Sequence, residues 1–182
     1  MGKLVIGGVI NDSTIDSTSI IVNVPIDNST GEPGVEIDGF CLSLTNTTCA
    51  TLAGAGRYII DTFSPIIRLP SEAMPDKVDI PPSFTNQSIT YDSATNESMQ
   101  LLPCDMYFLE SVSVVINATS FTFAKEDTVV EVAEGVCVSA LQPLRDGKEA
   151  RLGWPFLRNV VLGVDLRGGE GMFEVRQRVL PS

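Results

Sequence analysis

Asp61 is the residue of this sequence that is best placed to do chemistry. It follows a hydrophobic run in the segment YIIDTFSP at residues 58–65, so its carboxylate stands where a strand gives way to a turn. The chain contains no histidine. Without histidine, neither a Ser-His-Asp nor a Cys-His nucleophile system can be built, and no histidine-ligated metal site can form. We therefore expect carboxylate chemistry and no cofactor.

Carboxylates can cleave an amide bond only when two of them face each other and share a proton. One acts as a base toward a water molecule, while the other donates its proton to the carbonyl oxygen. The two apparent pKa values then belong to the pair and to neither residue alone. Without a second carboxylate opposite it, Asp61 is therefore an ordinary carboxylate.

The composition excludes several other classes of protein. Lys and Arg number 12 and Asp and Glu 23, which gives a net charge of −11, and the basic residues are scattered, so no nucleic-acid footprint is present. Hydrophobic residues make up 43% and charged residues 19%, as in a globular domain. No apolar run reaches the roughly 18 residues that span a bilayer. The four cysteines do not form the close pairs that bind zinc.

The compartment is indicated by glycosylation sequons. Six of the eight asparagines begin an N-x-[ST] triplet, which predicts a glycoprotein of the secretory route. They are Asn11, Asn28, Asn46, Asn86, Asn96 and Asn117. An even number of cysteines agrees with an oxidising compartment. Since the chain starts without a secretion signal, we expect it to be part of something longer.

Short segments that alternate polar and apolar residues dominate the chain and predict an all-β fold. The predicted strands are residues 3–9, 19–24, 39–44, 57–60, 111–116, 121–123, 129–132, 136–140, 160–166 and 171–176. One or two short helices are predicted, at residues 71–74 and 154–159. Residues 76–100 are polar and contain two sequons, which predicts a loop. We expect one β-rich unit over residues 1–182.

Several motifs resemble those of pepsin-like aspartic peptidases. Residues 58–65, followed by Leu69-Pro70, resemble the second active-site motif of that family, where two hydrophobic residues precede Asp-Thr-Gly-Ser/Thr and Leu-Pro follows. Residues 3–9 resemble the segment that opens the family's C-terminal lobe. Residues 152–160 and 164–166 resemble its Leu-Gly-Asp-x-Phe-Leu-Arg and Phe-Asp segments. The resemblance extends from residue 3 to about residue 176 but covers only the C-terminal half of the family's fold.

This resemblance implies roles for individual residues. Asp61 would be one half of a catalytic pair, and Thr62 would hydrogen-bond to the equivalent threonine of the other lobe. Ser64 would hydrogen-bond to the outer oxygen of Asp61. Leu152-Gly153 would complete a crossed-loop arrangement beneath the site. The partner would be an N-terminal lobe, on a separate chain or a missing segment, and the ligand an extended peptide in the cleft between lobes.

The cysteines are expected to form disulfides. By the resemblance, Cys104 and Cys137 form the long disulfide of the C-terminal lobe. Cys41 and Cys49 are only eight residues apart, which favours a small local disulfide, although four cysteines formally allow three pairings. Cys41 and Cys49 do not fall at the positions of the family's usual short disulfide.

Two departures from the family pattern leave the activity open. Phe63 replaces the glycine after Asp-Thr, a residue that allows close backbone approach or an unusual φ, and Trp154 replaces the aspartate after Leu-Gly. One hypothesis is a working secreted or vacuolar endopeptidase of an acidic compartment. The alternative is an inactive or repurposed protein that binds a peptide or another ligand. A homodimer, with two copies of Asp61 facing across a two-fold axis, is a third hypothesis.

Overall fold

The computed structural model describes residues 21–43, 52–71, 88–92, 97–105, 111–144, 148–166 and 171–178. The predicted strand at residues 3–9 lies outside these ranges, as does all but the first residue of the predicted helix at 71–74. Cys49 and four of the sequon asparagines, Asn11, Asn46, Asn86 and Asn96, lie outside them too.

Strands make up most of the described residues, as predicted for an all-β chain. They are β1 (Val22–Pro25), β2 (Gly34–Ile37), β3 (Gly39–Ser43), β4 (Gly56–Ile60), β5 (Ile67–Leu69), β6 (Ser88–Asp92), β7 (Glu97–Leu102), β8 (Ser111–Ile116), β9 (Thr119–Ala124), β10 (Val129–Ala133), β11 (Val136–Ser139), β12 (Leu141–Pro143), β13 (Arg151–Leu152), β14 (Val160–Asp165) and β15 (Met172–Gln177). A 3₁₀ turn covers Lys125–Thr128, and the short helix α1 covers Trp154–Leu157. The helical turn predicted after Gly153 is thereby confirmed.

The strands form four sheets. Their orders are β1-β15-β14, β10-β11-β7-β6, β12-β5-β13-β4-β2 and β3-β8-β9. Most neighbouring strands are antiparallel, but β12 runs parallel to β5 and β13 runs parallel to β4. These two parallel contacts arise because β12 and β13, which come late in the chain, lie beside β5 and β4, which come much earlier in the sequence.

The core lies where alternating apolar residues of several strands meet. β8 is the middle strand of its sheet, and its residues Val112–Ile116 are all buried. Phe121 and Phe123 on β9 are buried as well, so that both rings belong to the core. The rings of Phe40 and Tyr58 pack edge to face, with centroids 5.4 Å apart. This packing anchors β4, the strand that leads to Asp61, to the centre of the molecule.

The loop predicted for residues 76–100 is wrong over its described part, because β6 and β7 form an antiparallel hairpin there. β7 in turn pairs with β11, where Leu102 lies opposite Cys137. The polar composition concealed these strands, since ladder hydrogen bonds use backbone groups whatever the side chains are. Burial of Met99 and Leu102 against the neighbouring strands supplies the apolar contact that the hairpin needs.

A disulfide joins Cys104, just after β7, to Cys137 on β11. It closes a separation of 33 residues and secures the four-stranded sheet at the end of β7. Cys41 on β3 is also disulfide-bonded, while Cys49, its predicted partner, lies outside the described residues. Within the described part of the chain, no cysteine is free.

Candidate active site

The five-stranded sheet positions Asp61. In this sheet β13 lies between β4 and β5, parallel to the first and antiparallel to the second. The chain leaves β4 at Ile60, and the backbone N–H of Asp61 still donates to the carbonyl of Leu152 at 3.0 Å. Residues 151–153 therefore cross beside the Asp61 loop, the arrangement that was expected for Leu152-Gly153.

A tight turn holds one oxygen of the Asp61 carboxylate. Its Oδ1 accepts the backbone N–H of Phe63 at 3.0 Å and that of Ser64 at 3.2 Å. The side chain of Asp61 keeps 17% of its surface exposed. A short acceptor side chain that bonds amides two and three residues ahead stabilises such a turn locally. The carboxylate is thus fixed in orientation and still reachable from solvent.

Arg151 holds the other oxygen. Its Nη1 donates to Oδ2 of Asp61 at 2.8 Å, and its Nη2 donates to a carboxylate oxygen of Glu32 at 3.0 Å. Burial opposes the charge of Arg151, but the hydrogen bond to Asp61 and the charges of the neighbouring carboxylates outweigh it and raise the pKa of Arg151 above its ordinary value. Arg151 thus remains a cation in this setting.

A second arginine extends this charged group away from Asp61. Arg57 on β4 forms ion pairs with Asp27 at 3.1 Å and with Glu149 at 3.3 Å. Its Nη2 also donates to the backbone carbonyls of Asp27 and Glu32, at 3.0 and 2.6 Å. The turn that carries Glu32, the carboxylate partner of Arg151, is consequently tied to β4 through its backbone.

Gly153 is required because two backbones approach closely. A Cβ at this position would lie 2.2 Å from the carbonyl oxygen of Ile66 and 2.5 Å from that of Ser64. Its φ of −98° is ordinary for any residue, so the requirement is for space and not for conformation. A residue with a Cβ here would therefore push the crossing of residues 151–153 away from the loop.

Trp154 binds the Asp61 loop from the next position. Its backbone N–H donates to the carbonyl of Ser64 at 2.9 Å, and its indole N–H donates to the carbonyl of Thr62 at 2.7 Å. The family's aspartate could not supply this donor. The departure at Trp154 therefore gives the loop an additional hydrogen bond, while nearly half of the Trp154 surface remains exposed.

The structure also shows where the second departure, Phe63, points. The side chain is 86% exposed, and Phe63 is not among the described residues with positive φ. The turn therefore does not need glycine for its backbone conformation, and within this chain the ring does not crowd Asp61.

The expected role of Ser64 differs in the structure. Its hydroxyl donates to the carbonyl of Ile66 at 3.0 Å and accepts the N–H of the same residue at 3.3 Å. Ser64 reaches Asp61 through its backbone N–H instead, and the outer oxygen of the carboxylate is bound by Arg151. Thr62 lies exposed at the start of the turn.

Sequence reasoning did not identify Arg151 or Glu32. Arg151 stands immediately before Leu152-Gly153, which was expected to pass beneath the site, and in the observed register it pairs with Ile59, two residues before Asp61. The place of Arg151 directly before Leu152-Gly153 was therefore the signal by which it could have been identified. Glu32 comes from a turn 29 residues before Asp61, and only tertiary folding brings it near.

Two sequons fall within the described residues, and both of their asparagines are exposed. Asn28 lies in the turn before β2, and Asn117 lies at the tip of the β8–β9 hairpin with a φ of 49°. In the described part of the chain, no group of three acidic or cysteine side chains is arranged to hold a metal ion. No helix in the same part is long and apolar enough to cross a membrane.

Comparison with known families agrees with this geometry. Residues 1–170 match the family model of the eukaryotic aspartyl proteases. Comparison with curated proteins gave no match. Since the family model covers more than half of the sequence, the chain belongs to the pepsin-like eukaryotic aspartyl protease family.

Proposed function

We propose that this chain is the C-terminal lobe of a secreted pepsin-like aspartic endopeptidase and supplies Asp61 to the catalytic pair. The observation that carries the proposal is the fixed Asp61 carboxylate. Two backbone N–H groups orient it, Leu152 and Gly153 support its loop from the crossing strand, and part of its surface stays open. A catalytic carboxylate needs this combination of fixed orientation and access.

The reaction would be hydrolysis of a peptide bond by two carboxylates. The ionised carboxylate takes a proton from water, and the water oxygen forms a bond to the carbonyl carbon. The protonated carboxylate gives its proton to the carbonyl oxygen. When the resulting tetrahedral intermediate collapses, the C–N bond breaks and the nitrogen takes the proton from the carboxylate that had accepted one from water. One hydroxyl group of the intermediate returns its proton to the other carboxylate, which restores the shared-proton pair. Asp61 supplies one carboxylate, so an N-terminal lobe on a separate chain or segment would supply the other.

The test requires the complete two-lobed molecule. We expect acid hydrolysis of unstructured peptides and inhibition by statine-type transition-state mimics, both abolished by Asp61→Asn. Asp105→Asn is the matched control, because Asp105 is an exposed aspartate beside the Cys104 disulfide. If Asp61→Asn cleaves peptides as well as the wild type, the proposal is wrong. A second polypeptide that co-purifies and carries Asp-Thr-Gly would identify the partner lobe.

A second candidate is a non-hydrolytic protein that uses the same cleft for binding. The ion pair between Asp61 and Arg151 favours it, because Oδ2 is already occupied, and the exposed Phe63 offers an aromatic contact surface. This candidate predicts peptide binding without cleavage, which calorimetry and mass spectrometry of the recovered peptide would distinguish. Appearance of cleavage in Phe63→Gly would show that the phenyl ring alone blocks hydrolysis.

The homodimer hypothesis makes a different prediction about assembly. Two copies of Asp61 would have to meet across a two-fold axis, so that active material would be a dimer of this chain alone. Light scattering at working concentration distinguishes this from a heterologous pair of lobes. A monomer that becomes active only with an N-terminal lobe would exclude the homodimer.

We also propose a secretory or vacuolar location. The six sequons, the disulfides and the family support it. A net charge of −11 suits an acidic compartment, where protonation of carboxylates relieves self-repulsion. A loss of mass after glycosidase treatment, with Asn28 and Asn117 in particular converted to aspartate, would support this proposal. Unmodified asparagines at all six positions in native material would contradict it.

A further inference from the structure

We propose that Arg151 is a positioning residue that controls whether Asp61 can pair with a second carboxylate. This inference rests on the proposed catalytic role of Asp61. In the observed arrangement Arg151 withholds Oδ2 of Asp61, and the shared-proton pair forms only when Arg151 turns away toward Glu32.

The Asp61 carboxylate has two oxygens, and the turn uses one of them. Oδ1 is committed to the N–H groups of Phe63 and Ser64, which shape the turn. Only Oδ2 remains for a second carboxylate, and Arg151 donates to it at 2.8 Å. A guanidinium donates hydrogen bonds and accepts none. A carboxylate oxygen has two acceptor positions, and Arg151 takes one of those on Oδ2, so that it competes with a second carboxylate for this oxygen.

The guanidinium of Arg151 can move because its side chain is partly exposed to solvent. The backbone of Arg151 is fixed by β13, between β4 and β5, so any movement must come from the side chain. That side chain is 31% exposed, whereas Asp61 is 17% exposed. A long, partly solvated arginine can change its rotamer without repacking of the core.

Glu32 is the partner that Arg151 keeps when it leaves Asp61. Glu32 already accepts its Nη2 at 3.0 Å and is itself 48% exposed. The backbone carbonyl of Glu32 is held by Arg57, so that the backbone carrying this acceptor is tied to β4. If Arg151 gives up Asp61, it keeps this ion pair, and its charge is not stranded.

The geometry therefore describes a choice between two partners for one cation. With Arg151 on Asp61 and Glu32 together, the carboxylate is bound and unavailable. With Arg151 on Glu32 alone, Oδ2 is released and can share a proton. Glu32 is the residue that holds the second arrangement in place, because it is the acceptor that remains.

The experiment measures the affinity of the complete two-lobed protein for a statine-type peptide by calorimetry. We expect Arg151→Met to bind about tenfold more tightly than wild type, since removal of a competing interaction of about 1.4 kcal/mol corresponds to that factor. Glu32→Gln should bind more weakly, because Arg151 then has only Asp61 as a charged partner. Arg151→Lys, which keeps the charge, should restore affinity to near the wild-type value.

Arg176→Met is the matched control, because Arg176 pairs with Glu174 on β15 in a different sheet. The affinity of the Arg176→Met variant for the statine-type peptide should equal that of wild type. An Arg151→Met affinity equal to or weaker than wild type, with Asp61→Asn abolishing binding, would overturn the role of Arg151 and leave the role of Asp61 intact. If Asp61→Asn also binds as wild type, both the proposed function and this inference are wrong.

A second measurement does not depend on the reaction. A double-mutant cycle on unfolding with Arg151→Met, Asp61→Asn and the double variant isolates the coupling between the two side chains. We expect the double variant to be less destabilised than the two single variants together. Strict additivity would mean that the ion pair does not form in solution, and would overturn the inference even if binding had changed.

Discussion

Arg151 and Asp61 are separated by 90 residues in the sequence and by 2.8 Å in the structure, where Nη1 of the arginine donates to Oδ2 of the aspartate. The contact exists because β13 inserts next to β4, so that Arg151 lies opposite Ile59 and Leu152 opposite Ile60. The same crossing brings Gly153 against the loop and Trp154 to its carbonyls. One short strand thus determines the environment of the candidate catalytic residue.

Gly153→Ala should destabilise the protein by about 3 kcal/mol, at the upper end of what overpacking costs. The added methyl group would meet two backbone carbonyl oxygens, which cannot rotate away as a side chain can. Urea unfolding of the isolated chain measures the change. Gly163→Ala on β14 is the control, because the nearest atom there is a side-chain carbon of Glu174 at 3.3 Å. Equal losses in both variants would contradict the close-approach argument.

Trp154→Phe should lower the free energy of unfolding by about 1 kcal/mol, the usual contribution of one hydrogen bond. Phenylalanine keeps the aromatic ring but cannot donate to the carbonyl of Thr62, which now receives the indole N–H at 2.7 Å. Phe63→Ser serves as the comparison, since its 86% exposed ring predicts a change within about 0.5 kcal/mol. A larger loss from Phe63→Ser than from Trp154→Phe would mean that the ring of Phe63 packs in solution.

The Cys104–Cys137 disulfide should contribute about 4 kcal/mol to stability on the chain-entropy estimate. Its separation of 33 residues gives the unfolded chain considerable freedom when the bond is absent. Denaturation of the Cys104→Ser, Cys137→Ser double variant under oxidising conditions measures this contribution, with the other two cysteines unchanged. A double variant as stable as the wild type would show that β7 and β11 hold together without the cross-link.

Acid should weaken the turn around Asp27. The backbone N–H of Ser29 and its hydroxyl, together with the Arg57 charge, lower the pKa of Asp27 below 3.8. A carboxylate whose pKa is lowered by folding stabilises the folded state above the unfolded value, and the contribution disappears as the pH falls through the folded value. The difference in unfolding free energy between wild type and Asp27→Asn should therefore be largest above pH 3.8 and shrink as the pH falls below that value.

The measurement is urea unfolding of both proteins from neutral pH into acid, with carboxyl chemical shifts of Asp27 followed in parallel. Asparagine at this position can still accept the N–H of Ser29 but carries no charge, so that the comparison isolates ionisation. A difference that grows as the pH falls would contradict the sign of this prediction.

Local patterns in the sequence determined the all-β class and most strand positions. Alternation along β9 and β15 was sufficient, because a strand with one face in the core repeats its apolar residues every two positions. β8 and β14 were indicated by their β-branched residues. Helix α1 was predicted from local sequence as well. The motif around Asp61 was recognisable because its turn is built from neighbouring residues, whose amides bond the aspartate whatever else surrounds it.

Tertiary structure decided the features that depend on distant segments. β7 was missed because its polar sequence is stabilised by pairing with β11 and by the Cys104–Cys137 disulfide. The electrostatic setting of Asp61 could not be predicted either, because Arg151 and Glu32 come from segments far along the chain in both directions. The sequence identifies the carboxylate, but folding selects the cation that binds it, since the partner of a side chain depends on which strands lie side by side.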